Sequence, residues 1–283
     1  MRNGFEFKDI HSSFFGVSVR TKSRPIRPSA KTFLADVPCR DGSYDFSASN
    51  PYGREFYNDR IFTVSMSVYA DNMVLMQKKL TQLSNWLCGK GELIFDDMPL
   101  VKWTGRVSDE IIYMPEHEGR KAVIEVTFST EPFSKCIFDS ADGPCLDIDA
   151  VLIGDNLPIG IDEVYTYTVS GSADLAVMNV GDRYVRPVIE ISGNASALKL
   201  SLADKSLSFT ASGDVTVDFE KQSVTDALGT VKVSGMFFEF MSGENILHIE
   251  NSNTDELTVK VHYTPGFMYN LYFDDMNWGD VSA

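Results

Sequence analysis

The residues best suited to chemistry are four cysteines, four histidines and two pairs of adjacent carboxylates. Cys39 stands in VPCRDGSYDF (37–46) beside Arg40 and Asp41, a mixture that would suit a catalytic turn, a metal ligand set or an ordinary loop. Cys39, Cys88, Cys136 and Cys145 form no CxxC pair, so they lack zinc-ligand spacing. Cys136 and Cys145 are near enough in sequence to bridge, but thiols stay reduced without an oxidising compartment. Nucleophilic catalysis needs a base and an orienting group within reach of the nucleophile. His11, His117, His248 and His262 are widely separated, and no GxSxG elbow occurs. His248 and His262 fall inside alternating stretches and read as ordinary strand residues. Neighbours in a strand face opposite ways, so neither Asp96–Asp97 nor Asp274–Asp275 builds a two-carboxylate site by itself. The series Asp274, Asp275, Asn277, Asp280 lacks the spacing and final glutamate of a calcium loop. GKG at 89–91 is too short to cradle a phosphate and reads as a helix stop. The expectation is therefore no catalytic residue, no metal and no cofactor.

The elements that would position these residues are mostly strands. IFTVSMSVY (61–69) alternates, with Phe62, Val64, Met66 and Val68 on one side, as a half-buried strand does. A helix over about 71–88 follows. Asp71 can cap its free amides, Met73, Met76, Leu80, Leu83 and Leu87 make one apolar stripe for packing on a sheet, and Gly89 suits a left-handed stop. Strands are expected at 92–96, 101–107 and 121–129, the last with Ile124, Val126 and Phe128 on one face and ended by Pro132. From about 139 the chain turns rich in Asp, Gly and Pro and reads as a linker. Short alternating runs then recur about every ten residues: EVYTYTVS, RPVIEIS, ALKLSLA, SLSFTA, DVTVDF, TVKVSG, FFEFMSG, NILHIE and ELTVKVHY. With no helical period between them, they predict a β-sandwich or jelly roll. The C-terminal aromatics Phe267, Tyr269, Tyr272, Phe273 and Trp278 are expected to pack on that sandwich.

Composition sets the class. Of 283 residues, 43% are hydrophobic and 23% charged, enough for a sizeable globular core. No apolar run is long enough to span a membrane, and the opening MRNGFEFKDIHSSFFG has no apolar h-region, so neither insertion nor a secretory signal is expected. Residues 1–138 hold 18 Lys and Arg against 17 Asp and Glu, whereas 139–283 hold 7 against 23. That asymmetry supports two domains, 1–138 and 139–283, and the acidic half argues against gripping nucleic acid. RTKSRPIRPSAK (20–31) is basic, kept from helix by Pro25 and Pro28, and lacks the aromatics of a base-stacking platform. It reads as a solvated extended arm, or as an arm docking on acidic surface of a neighbouring subunit.

Six stretches occur in order: FKDIHSSFFGVSV, SRPIRP, VPCRDGSYDF, FYNDRIFTVSMSV, WLCGKGELIFDDMP and VTFSTEPF. Together they resemble the N-terminal half of the distal tail proteins (Dit) of long-tailed phages, chiefly of Gram-positive hosts. VMNVGDRYVRPVIEIS and GENILHIENSNTDELTVKVHYTP are similar to that family's C-terminal domain. Where the family usually has Pro-Gly-Arg-Asp-Gly, Cys39 replaces the first glycine, and a β-carbon fits a left-handed turn poorly. The resemblance implies a mainly β protein: an N-terminal antiparallel sandwich-like domain with one α-helix, then a galectin-like or jelly-roll β-sandwich. It implies a non-enzymatic homohexameric ring at the virion tail tip, assembled in the host cytoplasm. The implied partners are the tail tube protein, the tape measure protein, a tail-associated hub, fibre or lysin protein and a receptor-binding protein, with DNA passing only as cargo. Arg24, Arg27, Arg40, Asp41 and Tyr44 are the candidate subunit-interface residues, from their charge and their place in the ring-forming half. Two other classes fit the β-rich pattern. A carbohydrate-binding β-sandwich module would be monomeric with exposed coplanar aromatics, and an all-β hydrolase would need converging carboxylates.

Overall fold

The computed structural model describes residues 4–39, 41–140, 165–193, 197–211, 213–253 and 255–270. The chain divides into two compact units, Met1–Ser134 joined by Met268–Asn270, and a second unit beginning at Lys135 and running to Phe267. Among the described residues no helix is long and apolar enough to cross a membrane.

In the first unit the strands are β1 (Phe5–Phe7), β2 (Ile10–His11), β3 (Ser18–Ser23), β4 (Leu34–Asp36), β5 (Ser43–Asp45) and β6 (Arg60–Tyr69). After β6 come the helix α1 (Met73–Trp86) and β7 (Lys90–Phe95), β8 (Met98–Val107), β9 (Ile112–Glu116) and β10 (Lys121–Thr130). The main sheet is antiparallel in the order β2-β1-β7-β8-β10-β6-β3, and β9 pairs with the start of β10. Alternation explains the core. Phe62, Val64, Met66 and Val68 of β6 are fully buried, and Ala122, Ile124, Val126 and Phe128 of β10 answer them across the ladder. In a flat sheet β1 and β10 would lie three strand spacings apart, roughly 14 Å. Yet Phe5 and Phe7 meet the Phe128 ring at 5.5 and 5.3 Å, so the sheet folds over on itself. Gly105 permits the crossing of β8 and β10, since a Cβ there would lie 2.5 Å from the Ser129 carbonyl oxygen.

Helix α1 seals the fold. Its cap is Asn72, one residue beyond the expected Asp71, because the carboxamide oxygen of Asn72 reaches the Leu75 N–H at 2.9 Å. Gly89 is left-handed (φ +85°) just past the helix, as expected. Met76, Leu83 and Trp86 are buried, but Met73, the first residue of the expected stripe, is exposed. Trp86 stacks on Phe5 and Phe15 at 5.4 and 4.7 Å and donates its indole N–H to the Phe7 carbonyl.

The second unit has two antiparallel sheets. One runs Tyr165–Ser170, Glu256–His262, Val188–Gly193, Val215–Asp218, Ser223–Asp226, Gly229–Thr230. The other runs Ser172–Asn179, Gly243–Asn251, Ala197–Leu202, Lys205–Thr210, Val233–Gly235. Alternate residues of both, among them Ile189, Ile191, Leu198, Leu200, Leu247, Ile249 and Val259, enter one apolar core. FFEFMSG is not a strand as the alternation suggests. Its Phe238 and Phe240 are buried, but only a bridge from Phe240 to Val185 forms, since pattern reports a buried face and not a paired neighbour. Conversely, Ser223–Asp226 is a strand that too few apolar residues announce. The expected linker (all but its first residues), Cys145, the Asp274–Asp275 pair and the aromatics Tyr272, Phe273 and Trp278 lie outside the described residues.

Candidate assembly surface

Between β3 and β6 the chain leaves the sheet as an arm. Its root is fixed by Arg24, whose guanidinium grips Asp97 in a bidentate pair (Nη1 to Oδ1, 2.8 Å) and lies over the Phe95 and Tyr269 rings at 4.9 and 5.8 Å. That pair holds the Asp97 carboxyl below its usual range and raises Arg24 further. Lys22 pairs with Glu125, and Arg27 lies 3.3 Å from Glu55 and over Tyr57. The basic stretch is therefore not a free arm: its first part is strand β3, and Lys22, Arg24 and Arg27 meet acids of their own unit.

Beyond the root the arm zips as a two-stranded ribbon. Lys31 N–H donates to Phe56 O, Asn58 N–H to Ser29 O and Phe46 N–H to Phe33 O, at 2.7–2.8 Å. β4 and β5 then pair from Leu34–Asp45 to Asp36–Ser43, with Val37–Gly42 as the connecting loop. The loop answers the question Cys39 raises. Its φ is +64°, so the turn keeps a left-handed residue although a side chain stands there. Such a residue costs roughly 1–2 kcal/mol relative to ordinary backbone.

The ribbon is apolar on its surface: Phe33 is 66% and Leu34 56% exposed, with Val37, Tyr44 and Phe46 exposed beside them. A two-stranded ribbon is marginal alone in water, and clustered exposed apolar side chains mark contact surface. Asp41 is exposed in the loop, Tyr44 sits on β5 opposite Ala35, and Arg40 lies outside the described residues. The candidate residues thus split between a pinned root (Arg24, Arg27) and an exposed tip (Asp41, Tyr44). Phe33, Leu34 and Phe46 escape the charge-based reading. The cue is the pair of short β-prone runs flanking Asp-Gly, which is a hairpin signal.

Buried chemistry elsewhere is structural. Arg60 is almost fully buried and donates through Nη2 to the Met268 carbonyl, and burial lowers its pKa to about 10. Its guanidinium lies 5.8 Å from the centre of the Tyr269 ring, and the Ser134 hydroxyl donates to the Tyr269 carbonyl. His248 lies 2.6 Å from Asp174 and 3.2 Å from Glu250, and His262 sits 3.5 Å from both Asp139 and Glu190. Both imidazoles are raised, chiefly through the bonds to Asp174 and Asp139. Both nitrogens of each ring face carboxylates, which suits a cross-strand ion pair. Among the described residues no group of three His, Cys, Asp or Glu has metal-site geometry.

The chain thus combines an antiparallel sheet sealed by one helix, an arm with exposed apolar side chains and a β-sandwich. Residues 9–130 match the phage tail protein RIFT-related domain, and residues 180–267 match the siphovirus-type tail component, C-terminal domain. No curated protein matches in sequence. The crystal structure of the Dit protein of phage SPP1, described as a paradigm of the hub adsorption apparatus in phages infecting Gram-positive hosts, shares the fold. It aligns with TM-score 0.65 and 14% identity over 94% of this chain and 99% of that one. The baseplate of phage P2 in its activated conformation with calcium aligns with TM-score 0.41 and 9% identity, over 93% and 98% of the respective chains. With both tail domains present in order, the chain belongs to the siphovirus distal tail protein family and is a structural component of the phage tail.

Proposed function

We propose that this chain forms a homohexameric ring at the distal end of the tail tube and joins the tube to the host-adhesion device, without catalysing a reaction. The observation that carries this reading is the zipped arm, which exposes Phe33, Leu34 and Phe46 from a unit matching the phage tail domain. A closed ring needs two different complementary patches on each subunit, and the arm supplies one. The candidate residues Arg24, Arg27, Arg40, Asp41 and Tyr44 act there, Arg24 and Arg27 by fixing the root and Asp41 and Tyr44 at the tip. The first unit faces the tube and tape measure proteins and lines the channel through which DNA passes as cargo. The second unit carries the receptor-binding protein, and a tail-associated hub, fibre or lysin protein completes the tip. Assembly takes place in the host cytoplasm.

Native mass spectrometry and light scattering test this. Six times the 31.5 kDa chain is expected, and a stable monomer at micromolar concentration overturns it. The rival carbohydrate-module reading wants exposed aromatics on the sandwich. Among the described residues of the second unit, the exposed large apolar side chains are Leu228, Val233, Met236, Met241 and Ile246, none of them aromatic.

A further inference from the structure

We infer that the tip of the arm docks on the N-terminal face of α1 in the next copy of the same chain. The inference rests on the ring reading and names the second patch that a ring requires.

Among the described residues of the first unit, exposed apolar side chains gather on the arm, around β9 (Ile111, Ile112 and Met114) and on the first turn of α1, where Met73, Val74 and Leu75 are exposed, Val74 at 79%. A run of four apolar residues, Met73–Met76, cannot turn every member to the core on a 3.6-residue period. Only Met76 of the four is buried. The arm and this turn of α1 attach at opposite ends of one strand. The arm returns to the sheet at Arg60, where β6 begins, and α1 starts just after Tyr69, where β6 ends. Ten residues of strand span roughly 30 Å. Patches set apart in this way suit a head-to-tail contact, the kind that closes rings.

Charge assigns arm to helix. Residues 33–46 carry Asp36, Asp41 and Asp45 against Arg40 alone. Beside the exposed turn of α1 lies a groove of ≈ 530 Å³ whose charged lining is Lys78, Lys79 and Arg120 against Asp71. The tip of the arm is thus net −2 and the groove net +2, and apolar residues accompany the charges on both sides. Opposed potentials of this kind fix register and suppress wrong pairings. The acidic tip complements this groove in charge.

Cys39, exposed at the tip, is a native reporter. In the full chain carrying C88S and C145S, where Cys136 is buried, K78C is added and the assembled protein is treated with a short bismaleimide. The expected result is an interchain ladder joining Cys39 to the K78C thiol, with peptide mapping to prove the junction. In parallel, D36K/D45K and K78E/K79E are each expected to raise the half-assembly concentration at least tenfold. The four changes combined in one chain restore assembly, because each charge again meets its opposite. An assembled ring lacking that junction, or a charge swap that fails to rescue, overturns this inference and leaves the ring standing. A wild-type chain that stays monomeric overturns the ring and the inference together. Circular dichroism matching wild type keeps each variant interpretable.

Discussion

The curled sheet of the first unit and the arm that leaves it are built from the same kinds of residue, put to opposite use. In the sheet, Phe5, Phe7, Phe62, Phe95 and Phe128 alternate inward and lock ring against ring behind Trp86. In the arm, Tyr44 and Phe46 alternate along a two-stranded ribbon beside the consecutive Phe33 and Leu34, and all four stay exposed. Apolar alternation therefore specifies a strand and a face. Whether that face is covered by the same chain or by another is decided by what the topology puts opposite it. The most direct way to break the comparison is a matched pair of substitutions. F128A removes a fully buried ring that touches Phe5 and Phe7, and a Phe→Ala change at such a site costs about 3–5 kcal/mol. Urea denaturation followed by hydrogen exchange in β6 and β10 should show that loss. F33S/L34S should change the stability of the isolated chain by less than about 0.5 kcal/mol, as exposed sites usually do, while weakening assembly. Equal destabilisation by both would mean that the arm is covered within its own chain.

The root of the arm sharpens the boundary between the two. Arg24 was singled out for its charge, yet it is tied to Asp97 and stacked on Phe95. R24A is expected to lower stability by about 1 kcal/mol, the scale for a charge-assisted bond whose acid is still half in water. Protease nicking within 24–59 should rise as the ribbon loosens. An unchanged nicking rate would show that the backbone zipper between Ser29–Lys31 and Phe56–Asn58 holds the root without it.

At the tip the expected effect is smaller. C39G removes the left-handed strain of a side-chain-bearing residue, roughly 1–2 kcal/mol, but gives part of it back as unfolded-chain entropy. A net gain below about 1 kcal/mol in thermal or urea midpoint is expected, and a net loss would mean that the thiol makes a contact worth more than the strain.

These particulars show what was legible. Long alternating runs such as 61–69 and 121–129 were readable because burial on one face and pairing on both edges coincide there. FFEFMSG misleads because burial came without pairing, and Ser223–Asp226 hides because pairing came without apolar pattern. The helix was readable apart from its cap, where two cap-capable residues stand side by side and only geometry chooses Asn72. The joining of Met268–Asn270 to the first unit was not readable, because it depends on Tyr269 meeting Arg24, Arg60 and Trp103 from distant parts of the chain. On the arm, charge singles out Arg24, Arg27 and Asp41 but not the exposed Phe33, Leu34 and Phe46, because nothing local distinguishes an uncovered strand face from a buried one.

The histidines give the smallest effect and extend the comparison to the second unit, where cross-strand charge replaces aromatic packing on the outer faces. His248 lies between Asp174 of the neighbouring strand and Glu250 of its own strand, and His262 between Glu190 of the neighbouring strand and Asp139. Both have folded pKa values raised above the ordinary value near 6.5. A raised folded pKa means that the folded state holds its proton more tightly than the unfolded chain. The stabilisation is therefore complete below the unfolded pKa and disappears as pH climbs through the folded one. The second unit is expected to be more stable at pH 6 than at pH 8.5, with hydrogen exchange in Gly243–Asn251 and Glu256–His262 faster at the higher pH. H248Q/H262Q should flatten that difference by removing the titrating groups while leaving the ladder intact. Protection of β6 and β10 in the first unit should not depend on these two substitutions at either pH. If the double variant keeps the full pH dependence, the carboxylates themselves are responsible, and the outer faces of the sandwich are solvated surface.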